Sequence, residues 1–212
     1  MTLPRIDAYP MPAEEEIPKN HADWRLDGDR CVLLIHDMQR YFLDAFRADA
    51  EPVPTLVDNI RSLRERCVER GVPTIYTTQP GSQEPWERGL LQDFWGRGLS
   101  DEPAHTAVIA DLAPREEDTV VTKRRYSAFA NTGLSATMGR LGRDQLVVCG
   151  VYAHIGVLMT ACDAFMRDVE PFIVADAVAD FSAEDHSMAL TYATRRCAMA
   201  VSTRNAMTAL GR

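Results

Sequence analysis

Short apolar runs alternate with stretches of helical periodicity along almost the whole chain, and that alternation restricts the fold more than any single motif does. The run from Cys31 to His36, CVLLIH, is continuously apolar up to its last residue, as a strand buried on both faces must be. Leu56, Val57, Ile60, Leu63, Cys67 and Val68 then recur at helical spacing, with prolines before them and Gly71 after them. Runs at 72–78, 119–123, 145–151, 171–175 and 200–203 predict further strands, while 134–141, 155–166 and 182–199 predict helices. The last of these helices opens on Ser182-Ala183-Glu184-Asp185, the pattern of a capping box. Strands and helices in this alternation give an α/β fold, a parallel sheet covered by helices on both faces. Residues 79–118 read as one long irregular loop of the kind that carries function, and the residues after 203 as a tail.

Residues 1–28 are polar and punctuated by proline, which predicts an arm over the surface with a short helix near 13–17. Residues 29–212 predict a single domain, since 212 residues are too few for two ordinary ones and a linker. The N-terminus carries no apolar signal core, and no stretch approaches the length of a membrane span. Lys+Arg 23 against Asp+Glu 31 leaves a net charge of −8, a poor footprint for gripping nucleic acid. Five scattered cysteines without a CxxC pair form neither a disulfide framework nor a zinc site, so the chain reads as cytoplasmic and reduced.

Several enzyme signatures are absent. There is no GxSxG elbow and no GxxxxGK phosphate loop, and Gly96-Arg97-Gly98 lacks the third glycine of a dinucleotide fingerprint. The histidines are never paired at metal-ligand spacing, so neither a metal nor a nucleotide cofactor is expected. In open α/β sheets ligands sit beyond the carboxyl ends of the strands, which directs attention to Asp37, Thr78 and Gln79, Lys123, and Tyr152 to Gly156. Lys123 and Lys19 are the only lysines, so a lysine at a strand end is informative here.

At these positions the chain resembles the isochorismatase family. The resemblance is carried by His36-Asp37-Met38-Gln39-Arg40-Tyr41-Phe42, by Thr122-Lys123-Arg124-Arg125-Tyr126-Ser127-Ala128-Phe129 and by Gly150-Val151-Tyr152-Ala153-His154-Ile155-Gly156. A fourth segment, Asp176-Ala177-Val178-Ala179-Asp180-Phe181-Ser182, extends it over nearly the whole chain. It implies a single-domain, Rossmann-like sheet of six mostly parallel strands with helices on both faces, and a homodimer. The wider superfamily uses an Asp, a Lys and a Cys. Here Gly156 stands where the nucleophilic cysteine of the amidases belongs, and Cys149 lies before the turn inside an apolar strand. Without a thiolate on the turn there is no thioester route to amide hydrolysis.

The vinyl-ether hydrolases of the family share that loss, and their chemistry needs no nucleophilic side chain. The methylene carbon of an enolpyruvyl ether must gain a proton, which calls for a positioned general acid. The resemblance gives that part to Asp37, and to Lys123 the binding of a small anionic, chorismate-derived substrate. An ordinary Asp is ionised at neutral pH, so Asp37 must be desolvated or held by substrate carboxylates to carry its proton. Phe42, Gln79, Arg88, Trp95, Tyr126, Tyr152 and Gly156 carry over as substrate-binding positions, Arg88 suiting a carboxylate through its planar fork. Gln79-Pro80-Gly81-Ser82, the segment from Arg88 to Trp95, and Arg196-Cys197-Ala198-Met199 look closest to the phenazine-pathway member, which acts on 2-amino-2-deoxyisochorismate. Arg124 departs from it, standing where that enzyme commonly has tryptophan. The alternatives are an isochorismatase of siderophore synthesis, whose C-terminal carrier domain is not expected on a chain ending at Arg212, and a non-catalytic binding member.

Overall fold

The computed structural model describes residues 3–211; Met1 and Thr2 of the expected arm and Arg212 of the expected domain lie outside the described residues. In chain order the elements are β1 (Cys31–His36), α1 (Arg40–Leu43), α2 (Val53–Arg70), β2 (Thr74–Thr78), α3 (Pro85–Arg88), α4 (Leu91–Trp95), α5 (Pro103–Thr106), β3 (Thr119–Thr122), α6 (Leu134–Leu141), β4 (Gln145–Val151), α7 (Leu158–Phe165), β5 (Glu170–Ala179), α8 (Ala183–Arg196), β6 (Met199–Val201) and α9 (Thr203–Leu210). The six strands pair in parallel in the order β3-β2-β1-β4-β5-β6. From β1 the chain winds outward to β2 and β3, then returns to the other side of β1 with β4. The crevice between the carboxyl ends of β1 and β4 is therefore the switch point at which such sheets bind ligands.

The central strands read as unbroken apolar runs because both faces are covered. Leu33 and Ile35 of β1 join Leu56, Ile60 and Leu63 of α2 and Leu210 of α9 in one core layer. Val32 and Leu34 turn to the opposite layer, with Leu134 and Met138 of α6, Ala161 of α7 and Leu190 of α8. α2 ends at Gly71, whose φ of 66 allows its N–H to reach back to Cys67 and Val68. α8 begins where Ser182 accepts the Asp185 N–H at 3.0 Å.

Four expectations need correcting. The tail after residue 203 is the helix α9: Ser202 caps it by accepting the Asn205 N–H at 3.2 Å, and Ala206 and Leu210 are buried, so packing and a cap create a helix where the pattern was weak. α8 stops at Arg196 rather than 199, because Met199–Val201 pairs with β5 as the edge strand. The expected helix at 155–166 starts with a wide turn, Ala153–Val157, in which the Val157 N–H bonds Tyr152 O at 3.2 Å, five residues back. The loop at 79–118 contains α3, α4, α5 and a 3-10 turn at Ala110–Leu112, ahead of β3 at its far end.

The first residues are pinned to the surface. Ile6 is buried and donates its N–H to Ala45 O at 2.8 Å, and Asn20 exchanges two hydrogen bonds with the backbone of Ala200. The short helix expected near 13–17 is a single 3-10 turn at Glu14–Glu16, and Glu14 pairs with Arg204 of α9. No described helix is long and apolar enough to cross a membrane.

Candidate active site

Asp37 follows β1 directly and adopts φ 51, a left-handed conformation that an Asp tolerates and that turns its carboxylate into the crevice. The side chain is buried and accepts from every side: Thr77 Oγ1 at 2.6 Å, Gln79 Nε2 at 3.1 Å and Lys123 Nζ at 2.7 Å. These donors come from the ends of β2 and β3, so four adjacent strands deliver the constellation once the turn after β4 is included. Burial alone would raise the Asp37 pKa. The charge that His36 gains in acid, the Lys123 ammonium and the hydrogen bonds from Lys123 and Thr77 outweigh it and hold the carboxyl below its ordinary range. Lys123 is itself 1% exposed and donates to Arg125 O at 3.0 Å, which fixes its ammonium on Asp37.

His36 is fully buried, and burial pushes its pKa down to about 4, so it is neutral at neutral pH and Lys123 supplies the positive charge beside Asp37. The unfolded chain takes up this proton near pH 6.5 and the folded protein only near pH 4. Stability is therefore lost as pH falls through that window, by about 3 kcal/mol for this group. His36→Asn is expected to flatten the fall, and denaturant unfolding of both proteins at pH 7, 5.5 and 4 checks it.

A cavity with roughly 520 Å³ of empty space, part of it open to solvent, rises from Asp37 and Lys123. It brings together the positions expected from sequence: Phe42, Gln79, Arg88, Trp95, Tyr126, Tyr152 and Gly156 line it with Asp37 and Lys123. Trp95 donates to Tyr126 Oη at 2.7 Å, and Tyr152 donates to Phe42 O at 2.7 Å, which locks these aromatic walls. Arg88 is 4% exposed at the end of α3 and has no carboxylate within ion-pair distance among the described residues. Its guanidinium donates to Gly96 O at 3.1 Å and Gln79 Oε1 at 3.3 Å. Gly98, at φ 75, makes the space: a Cβ there would lie 2.8 Å from Arg88 Cζ. The glycines that failed as a dinucleotide fingerprint thus let the loop close over a buried cation. Arg124 pairs with Glu87 at 3.2 Å and lines no part of the cavity, so its departure from the family pattern falls on the surface.

Sequence reasoning missed other members of the site. Leu3, Tyr41, Leu91, Val151, Ile155 and Phe181 also line the cavity. Gln39, wholly buried, donates to Gln79 O and Thr106 O at 2.9 Å each and accepts the Gln79 N–H, so it sets the loop that presents Gln79. Asp180 accepts from the His154 N–H at 2.6 Å and the Phe181 N–H at 2.8 Å, and it pairs with the His154 ring. Tyr9 braces the same point, because its hydroxyl oxygen accepts the Asp180 N–H at 2.7 Å. His186 Nε2 must donate to Ala175 O, which leaves Nδ1 free to accept the Tyr9 hydroxyl at 3.2 Å. Gln39 and Asp180 lie inside the quoted motifs, and that was their only visible signal. Among the described residues, no cluster of three metal-ligating side chains forms.

Two kinds of comparison bear on this site. The chain is 22% identical to a cysteine hydrolase from Pseudomonas syringae pv. phaseolicola, with a TM-score of 0.79 over 89% of this chain and 96% of that one, a likeness of fold alone. It is 55% identical over 203 residues to the isochorismatase of Bacillus subtilis, covering 96% of this chain and 65% of that protein's length. It is 52% identical to the phenazine biosynthesis protein PhzD1 of Pseudomonas aeruginosa, covering 95% of this chain and 96% of that one. The isochorismatase domain model matches residues 31–205, from the first residue of β1 into α9, and the chain belongs to the isochorismatase family.

Proposed function

We propose that the protein is a vinyl-ether hydrolase that releases pyruvate from 2-amino-2-deoxyisochorismate, leaving trans-2,3-dihydro-3-hydroxyanthranilate. The observation that carries this reading is the buried Asp37–Lys123 pair at 2.7 Å, opposite a turn that bears a glycine where an amidase needs its nucleophile. In the free protein all three donors point at an ionised Asp37, so its acid form must arise as substrate binds. Substrate carboxylates on Lys123 and Arg88 offset the positive charge that keeps Asp37 ionised, and the ring held between the aromatic walls excludes water from it. Both effects raise the Asp37 pKa, and the carboxyl takes up a proton as the complex forms. Asp37 gives it to the methylene carbon of the enolpyruvyl group, and the double-bond electrons form the new C–H bond. Water adds to the resulting oxocarbenium carbon and loses a proton to Asp37. The hemiketal hydroxyl then gives up its proton as the carbonyl of pyruvate forms, the C–O bond to the ring breaks, and the ring oxygen takes up that proton as pyruvate departs.

The segments shared with phenazine enzymes and the 52% identity to PhzD1 support the amino substrate. The 55% identity to an isochorismatase favours isochorismate as the second reading. Among the described residues Asp37 is the only carboxylate lining the cavity, and Lys123 occupies it, so no acid among them selects a ring ammonium. Pyruvate release from the two substrates, measured side by side with chelator present, tests the proposal. Release from the amino substrate at the higher kcat/KM is expected. Preference for isochorismate moves the reading to the second substrate, and no pyruvate from either rejects it.

The five scattered cysteines, without a CxxC pair, are read as reduced thiols in a cytoplasmic setting. A homodimer is supported by the outer side of α3 and α4. Trp86, Leu90 and Phe94 stand there 79%, 81% and 67% exposed, behind the Arg88 and Trp95 that face the cavity. Light scattering is expected to give twice the chain mass, falling to one chain in Leu90→Asp.

A further inference from the structure

His36 takes no part in the proton transfer, yet several features of the chain converge on it. It is the last residue of β1, wholly buried, and it immediately precedes Asp37. Its Nδ1 lies 2.8 Å from Val151 O; a carbonyl only accepts, so Nδ1 carries the hydrogen. Nε2 is buried and makes no hydrogen bond of normal geometry among the described residues. Two glycines, Gly150 near the end of β4 and Gly156 in the turn that follows, close around this residue. Gly150 sits at φ 110, and a Cβ there would overlap the His36 carbonyl oxygen and fall 2.9 Å from its nitrogen. A Cβ at Gly156 would overlap Cε1 of the ring and fall 2.9 Å from Nε2 and 3.1 Å from Nδ1. The three atoms nearest to it all belong to that imidazole.

A side chain at position 156 is therefore aimed into the His36 ring. It can be accommodated only if the ring leaves or the turn moves. Moving the turn displaces Tyr152, Ile155 and Gly156 in the cavity wall, and moving the ring disturbs the strand end that carries Asp37. We propose that His36 is a positioning residue that fills the space in which the superfamily's nucleophilic side chain would stand, so that His36 and Gly156 together, rather than Gly156 alone, commit this pocket to proton transfer. The absent thiol is then no vacancy that one substitution could refill. The imidazole has taken its seat and ties the turn to Asp37 through Val151. For its chemical consequence the proposal rests on the vinyl-ether reading, while the packing it asserts does not.

Four proteins test it: wild type, His36→Asn, Gly156→Ala and the double variant. Asparagine keeps an N–H near the position of Nδ1 for Val151 O and removes the Cε1 and Nε2 atoms that block residue 156. Gly156→Ala alone is expected to lower the thermal midpoint by about 5 °C or more, as overpacking of a tight core does. Pyruvate release is expected to fall at least about tenfold with it. In the His36→Asn background the same substitution is expected to cost under about 2 °C, with pyruvate release at least about tenfold above Gly156→Ala alone. Equal losses in both backgrounds, or a harmless Gly156→Ala in the wild-type background, would overturn the proposal. If Gly156→Ala does not fold, recovery of folded protein by His36→Asn supports the pair, and failure to recover it overturns the pair. Should wild type release no pyruvate from either substrate, the functional reading fails while the midpoints still decide the packing.

Discussion

Asp37→Asn is expected to lower kcat for pyruvate release by about 10³-fold, within the range of general-acid catalysis, with KM changed far less. Asparagine keeps the shape of the side chain but has no acidic proton to place on carbon. On the proposed reading Arg88 and Lys123 meet the substrate carboxylates, and both are still in place, so KM holds. The substitution also leaves Lys123 buried at 1% exposure without its carboxylate, held only by neutral acceptors such as Arg125 O. Breaking one side of a buried pair costs on the order of 3–5 kcal/mol, so the thermal midpoint should fall as well. The two effects separate experimentally: turnover is read at saturating substrate well below the midpoint, with folding followed by circular dichroism. Retention of more than about a tenth of wild-type kcat would remove Asp37 as the proton donor.

Arg88→Met should act on binding instead. Here KM is expected to rise by about 10²-fold with kcat within a few-fold of wild type, since a buried cation facing a substrate carboxylate contributes on the order of 2–5 kcal/mol to binding. In the free protein this guanidinium is buried without a carboxylate partner among the described residues, and burial disfavours its charge. Methionine fills much of the same stem beneath Gly98 without that charge, so the thermal midpoint is not expected to fall. A residue that weakens function when removed, yet costs no stability, marks a site built for its ligand. Arg88→Lys should recover only part of the affinity, because an ammonium cannot reproduce the two-pronged grip of the guanidinium. A fall in kcat with KM unchanged would instead assign Arg88 to the transition state.

Periodicity and punctuation alone determined the α/β class, the parallel sheet and most strand positions. A strand buried on both faces must be continuously apolar, and CVLLIH at 31–36 could hardly read otherwise. The rule that ligands gather at strand ends picked out Asp37, Gln79 and Lys123 before any family likeness was invoked. The same rule reached Tyr152 and Gly156, the likeness added Phe42, Arg88, Trp95 and Tyr126, and the fold brings all of these to one cavity. What the sequence hid depends on long-range contacts. α9 is a helix because Ser202 caps it and α2 receives its apolar side, neither of which local periodicity reports. The charge state of Asp37 follows from three donors on two other strands, the nearest of them 40 residues away in the chain. Gly156 reads in the sequence as a missing nucleophile. Only the tertiary structure shows the ring of His36 in the same space, because steric exclusion between residues 120 positions apart has no one-dimensional signature.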